Sequence, residues 1–300
     1  MNNSTRNLKM KKLLIASTAL VATAGMASAD ITMSGSANAG IHSGLHAAGT
    51  STAVADGVYS NAGVAFALSG ATDNGISFSA SVDVMAGNKI DQGDFEYDSD
   101  DDGAMDLGSV SMSGAFGTLT FDNGGIENLY SDGLYNADVS YATTVGAIAL
   151  TVAHDTTAGD GTAKESSMSA SAGYTASGMT FTLTGAQTAS GTSAKLAVAY
   201  ALNDAVSLTG KTAQAAGAES VQTIGAKTTL NGVSVSIESA NNSTWDVDLG
   251  YTAGGFALTY GTDETDGWTA SASTSLGGGA SFKAGVDSND STYAGVSFAF

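Results

Sequence analysis

The chain has 300 residues, no Cys, no Pro and a formal net charge of −19. An acidic excess this large excludes nucleic-acid binding, which needs a basic surface. Without Cys there is no disulfide framework and no thiolate zinc site. The absence of Pro suits continuous strands, because Pro removes a ladder donor.

Residues 1–29 read as a cleaved secretory signal. Arg6, Lys9, Lys11 and Lys12 form a basic start, Leu13 to Met26 an apolar stretch, and Ala27-Ser28-Ala29 a small-x-small cleavage site. The alternative is a membrane anchor, for which the stretch falls short of the roughly 20 residues a spanning helix needs. The mature domain is then 30–300. Removing four positive charges and no acid takes the formal net charge from −19 to −23 and leaves no Arg.

From Asp30 onward the dominant signal is period-two alternation, the mark of strands with one apolar face. Ile31 to Gly44 is the first such segment, with Ile31, Met33 and Ile41 on one side. Leu45 to Gly57 reads as a small-residue loop. Val58 to Leu68 and Ile76 to Met85 are strands joined by a turn ending Asn74-Gly75, where Asn-Gly supplies positive φ.

Gly87 to Ala104 reads as a long acidic loop. Within it Asp98, Asp100 and Asp102 have the D-x-D-x-D-G spacing of the first half of a calcium-binding loop. They are a candidate Ca²⁺ site. The twelfth position is Ser109 rather than a bidentate Glu, and the alternative is a solvated, self-repelling loop.

Met105 to Ser113 and Thr118 to Phe121 resume the strands, and Asp122 to Ala137 forms the next loop. Regular hairpins then run from Val139 to Phe300. Short turns such as Asn231-Gly232 and Gly277-Gly278-Gly279 alternate with longer polar loops. No stretch after Asp30 has the 18 or so consecutive apolar residues of a membrane helix. A spanning fold would therefore use strands, apolar outward and polar inward.

The aromatic positions give an independent check. Tyr174, Tyr200 and Tyr251 precede short turns, whereas Trp245, Tyr260 and Trp268 flank the longer loops. Two belts at opposite strand ends match the girdles of a transmembrane barrel. The alternative, a soluble sandwich or solenoid, would bury large apolar residues mid-strand, where this chain is mostly small.

On the polar face lie Asp83, Lys195, Lys211, Lys227, Glu238, Asp246, Asp248 and Lys283, the candidate lumen charges. The three His are scattered, and His154-Asp155 would point to opposite strand faces. Nothing there assembles a catalytic dyad, so the expectation is a protein that is not an enzyme and requires no cofactor.

The run Ser113-Gly114-Ala115-Phe116-Gly117-Thr118-Leu119-Thr120-Phe121 and the last strand, with Phe298 and terminal Phe300, resemble Gram-negative outer-membrane porins of the alphaproteobacterial, Rhodobacter-like type. The resemblance implies an all-β transmembrane antiparallel barrel of about 16 strands, although counting alternating segments gives about 18. It further implies short periplasmic turns, longer extracellular loops and one loop folded into the lumen. That loop would be Asp122 to Ala137, with Asp122, Glu127, Asp132 and Asp138 as constriction candidates; the alternative is an ordinary acidic surface loop. The family pattern of Arg opposite this loop is missing, because the mature chain has no Arg.

The function so implied is an outer-membrane channel for passive diffusion of small hydrophilic solutes and ions. The excess of acid over base adds a preference for cations. The implied partners are outer-membrane lipid, lipopolysaccharide and two further copies in a homotrimer. The alternatives are a substrate-specific outer-membrane channel and an acidic, calcium-binding secreted adhesin.

Overall fold

The computed structural model describes residues 28–98, 105–131, 134, 136–156, 167–188 and 190–300. All regular structure among them is strand. In chain order the strands are β1 Ser28–Ser43, β2 His46–Ala47, β3 Gly57–Ala71, β4 Ser77–Asp91, β5 Glu96–Asp98, β6 Met105–Gly114 and β7 Gly117–Ile126. There follow β8 Ala137–Val145, β9 Ile148–His154, β10 Met168–Ala176, β11 Met179–Thr188, β12 Gly191–Ala201, β13 Val206–Gln214 and β14 Val221–Leu230. The last six are β15 Val233–Ala240, β16 Trp245–Ala253, β17 Phe256–Asp263, β18 Trp268–Gly277, β19 Ala280–Asp287 and β20 Thr292–Ala299.

All but β2 and β5 form one antiparallel ring in which each strand pairs with its chain neighbour and β20 returns to β1. The ring has 18 strands. The figure of about 16 implied by the resemblance is thus corrected, and the count from alternation stands. The physical reason lies in the spacing of the turns: each alternating segment is bounded by its own turn or loop, and none merges with the next.

The seam runs from Ser36 opposite Ala299 to Ser43 opposite Thr292. Beyond its last pair, Gly35 donates to the Phe300 carbonyl at 2.7 Å and Phe300 donates back to Gly35 at 3.0 Å. The Phe300 ring lies over Gly35, in the space a Cβ would need. Closure matters because an open edge in hydrocarbon leaves backbone groups without partners.

Turn chemistry sets the register. Leu230 pairs with Val233 across Asn231-Gly232, and both turn residues have positive φ, 52° and 83°. That is the primed turn whose twist matches a two-residue hairpin. Equivalent tight turns close one end of the barrel; the longer connections lie at the other. We refer to these as the turn end and the loop end.

Apolar side chains cover the outside. Met33, Ile41, Leu183, Leu196, Leu208, Ile224 and Ile237 are all exposed, and their strand neighbours on the opposite face are small or polar. A soluble protein would not leave such a belt in water. Two variants on β11 test the assignment. Leu183→Arg, on the outer face, should cost about 2–4 kcal/mol in lipid-reconstituted unfolding. Thr182→Arg, on the inner face, should leave stability nearly unchanged. Equal costs would contradict a lipid-facing outer wall.

Candidate functional site

The lumen is built from the face opposite that apolar belt. Asp83 lies between the exposed Val84 and outward Val82 of β4, so it points inward. The same alternation turns Lys195, Lys211 and Lys227 inward on β12, β13 and β14, the strands whose Leu196, Leu208 and Ile224 face outward. Glu238, Asp246, Asp248 and Lys283 follow inward on β15, β16 and β19. Lys211 Nζ stands 3.8 Å from Glu238 Oε2, and Lys283 Nζ lies 5.9 Å from the centre of the Tyr293 ring.

Acid concentrates at the loop end of β16 to β19. Asp246 and Asp263 are direct cross-strand partners, and both share a cleft of about 380 Å³ with Asp248 and Asp287. Like charges placed directly opposite repel, so this patch attracts mobile cations.

The connection between β7 and β8 turns inward. Lys195 donates to the Tyr130 carbonyl at 2.7 Å and stands 5.3 Å over its ring. Leu129 N donates to Ser169 Oγ at 3.1 Å. Ser169 and Lys195 both face the inside, so the segment crosses the inner wall from β8 to β12. Asp138 anchors its base: Gly124 N, Thr156 N and Thr156 Oγ1 donate to it at 2.9, 2.7 and 2.6 Å. Its charge is therefore used in holding the segment. Asp122 folds against its own bulge at Gly125, and Glu127 is exposed on the segment. Asp132 lies outside the described residues.

A second element enters the barrel that sequence reasoning missed. The sequence reads Leu45 to Gly57 as a small-residue loop, and Gly87 to Ala104 as a long acidic loop that is either a Ca²⁺ site or solvated. Instead β2 pairs with β5, and β5 pairs with the outer end of β4. This small sheet buries Leu45, Ile90 and Phe95 against Tyr59 of β3 and Tyr293 of β20. The tyrosines are on the inner face, so the apolar cluster sits inside the barrel. Asp56 closes the first loop by accepting from Gly44 N at 3.0 Å. That bond, then the Ser43 hydroxyl, hold its carboxyl below the ordinary range. The signal that could have revealed the insert was the pair of tyrosines on a face otherwise small and polar.

Asp98, the first calcium candidate, forms an ion pair with Lys89 at 3.2 Å. Asp100 and Asp102 lie outside the described residues.

The profile of the Gram-negative porin family matches residues 16–299. The chain belongs to that family. Solved porins share the fold: a triple mutant of Rhodopseudomonas blastica porin is 14% identical, with a TM-score of 0.52. A porin structure refined at 1.8 Å is 18% identical, with a TM-score of 0.53. Both comparisons cover 90% of this chain and 100% of the other. No curated protein matches the chain.

Family membership makes this porin an outer-membrane channel protein rather than an enzyme. His154 is exposed, with Nδ1 3.2 Å from the Ser167 carbonyl, and Asp155 beside it is buried. Tyr174, Tyr200 and Tyr251 are exposed on the outer face toward the turn end. Trp245, Tyr260 and Trp268 are exposed toward the loop end, and Tyr260 stacks on Trp268 at 6.4 Å. Phe298 and Phe300 extend the turn-end set.

Lys195→Met should detach the 127–131 segment, removing a charged hydrogen bond of about 1.5–3 kcal/mol. Single-channel recording should then show a noisier current. A trace as quiet as wild type would mean that other contacts hold the segment.

Proposed function

We propose that this porin is a general diffusion channel for small hydrophilic solutes and ions, with a preference for cations. The observation that carries the reading is the inner wall. Away from the Tyr59–Tyr293 cluster it is wettable, lined by Ser, Thr, Ala, Gly and charged side chains, and a ring of this size leaves an aqueous passage. Passage then depends on size at the narrowest level and on charge along the way.

The cation preference rests on which charges remain available. Lys195 is tied to Tyr130 and Lys211 leans toward Glu238, whereas Asp246, Asp248 and Asp263 share one open cleft. Acidic linings favour cations. A substrate-specific channel would instead need a track of accessible aromatic or basic side chains. The inner-face Tyr59 and Tyr293 are almost fully buried and offer no such track.

In this reading the turn end faces the periplasm and the loop end the exterior, with lipopolysaccharide around the loop-end girdle. The family resemblance adds a homotrimer, which chemical cross-linking in detergent would display as a three-copy band.

Reversal potentials across a potassium chloride gradient test the selectivity. Cations should be preferred by about threefold or more, and the preference should fall as salt screens the wall. A reversal potential of the anion-selective sign would refute it. Failure of maltose-size sugars to compete with the current is the result expected of a general pore.

A further inference from the structure

The inner wall has been carved to receive the β2/β5 insert. Tyr59 is 2% exposed and lies across β1 and β20: a Cβ on Gly40 would come within 2.6 Å of its ring, and one on Gly295 would collide with it as well. Tyr293, 3% exposed, lies in the same way across Gly285 of β19, where a Cβ would come within 2.6 Å. Three inward glycines on three neighbouring strands thus let two aromatic rings lie flat, making a smooth apolar floor within an otherwise polar lumen.

The insert seats on this floor. Phe95 packs on Tyr293 with ring centres 5.2 Å apart, and Tyr97 packs on His42 at 4.9 Å. Leu45 is completely buried. Polar ties complete the seat: Tyr293 OH donates to the Gln92 carbonyl at 3.2 Å, Ser291 Oγ to the Gly44 carbonyl at 3.1 Å, and Gly49 N to Glu96 Oε2 at 3.1 Å.

Strand alternation then decides what the insert shows to the channel. Ile90 pairs with Tyr97 and both face the floor. The flanking pairs, Lys89 with Asp98 and Asp91 with Glu96, fall on the opposite face. That face looks into the lumen and carries three acids and one base.

Position in the ring supplies the last step. The insert is centred on β1, whereas the Tyr130 segment springs from β7 and β8, four to five strands away round the ring of 18, and runs along the wall to Lys195 of β12, nine strands away. Its Tyr130 tip therefore faces the insert from across the ring, both near the loop end.

We propose that the β2/β5 insert is a fixed second jaw of the constriction, setting the bore jointly with the 127–131 segment and lining it with Asp91, Glu96 and the Lys89–Asp98 pair. A buried aromatic seat makes this jaw a permanent part of the pore rather than a mobile lid. The proposal rests on the porin reading and names the residues that limit solute size within it.

The test uses the full mature chain in planar bilayers and in liposomes. Phe95→Asp places a charge in the seat without touching a wall strand. A second variant replaces residues 46–55 with a short glycine linker. Heat-dependent gel migration establishes that each barrel is folded. Conductance should rise by about twofold in both, with passage of larger sugars in liposome swelling. Folded variants with wild-type conductance and the wild-type sugar cutoff would overturn the jaw while leaving the porin reading intact. A folded wild-type protein that never conducts would overturn the porin reading itself, and the jaw with it.

Discussion

The constraint on which this structure depends is that no backbone amide may go unpaired in hydrocarbon. An α-helix meets it within one segment, but among the described residues no helix is long and apolar enough to cross a membrane. A sheet meets it only by returning on itself. The seam between β1 and β20 therefore matters more than any single side chain. Its reciprocal Gly35–Phe300 bonds carry the pairing to the last residue, and the bare glycine gives the terminal ring a place to lie. The absence of Pro and the glycine-rich turns serve the same end, since every ladder position can donate and many hairpins reverse through a glycine of positive φ.

Closure creates a second problem, because a ring this wide has no side chains long enough to fill it. The outer apolar belt is stabilised by lipid, so the protein needs no central core, and its buried apolar residues among those described are few. Most of them gather in one place, on the inner wall around Tyr59 and Tyr293. That cluster is a small core built off-centre, and it holds loop residues rather than wall strands together. The opposite segment is fastened by polar means, through Lys195, Ser169 and Asp138. Two chemistries thus fix two in-folded elements: burial of aromatics over glycine on one side, charge-assisted hydrogen bonds on the other.

The wall was legible in the sequence because its rule is strictly local. Alternation at Ile31 to Ile41, or at Ile76 to Val84, states which face meets lipid without reference to any other strand, and the Asn231-Gly232 turn states its own register. The in-folded elements were harder because their partners are remote in sequence. Nothing near Tyr130 announces Lys195. The insert is hard to see in the sequence because the acids of residues 87 to 104 mask Ile90, Phe95 and Tyr97, the apolar residues that seat it. The number of alternating segments already matches the 18 strands of the ring, whereas the resemblance implies about 16. Distant relatives share the manner of closure, and closure tolerates a further hairpin.

The lack of arginine among the described residues bears on how the pore treats charge. Arginine can hold a fixed planar fork against a loop carboxylate and still present charge to the lumen. Lysine is a point charge on a flexible stem, and here it is spent on local bonding: Lys195 on a carbonyl, Lys89 on Asp98, Lys211 beside Glu238. Each ion pair takes up one cation and one acid and leaves the net charge unchanged, while Lys195 keeps its charge beside a neutral carbonyl. Because acids outnumber bases on the described inner wall, one-to-one pairing leaves an unpaired remainder that is mostly acidic. Anchoring the in-folded elements with lysine therefore fixes where the remaining bases stand, and the net excess of acid sets the ion preference.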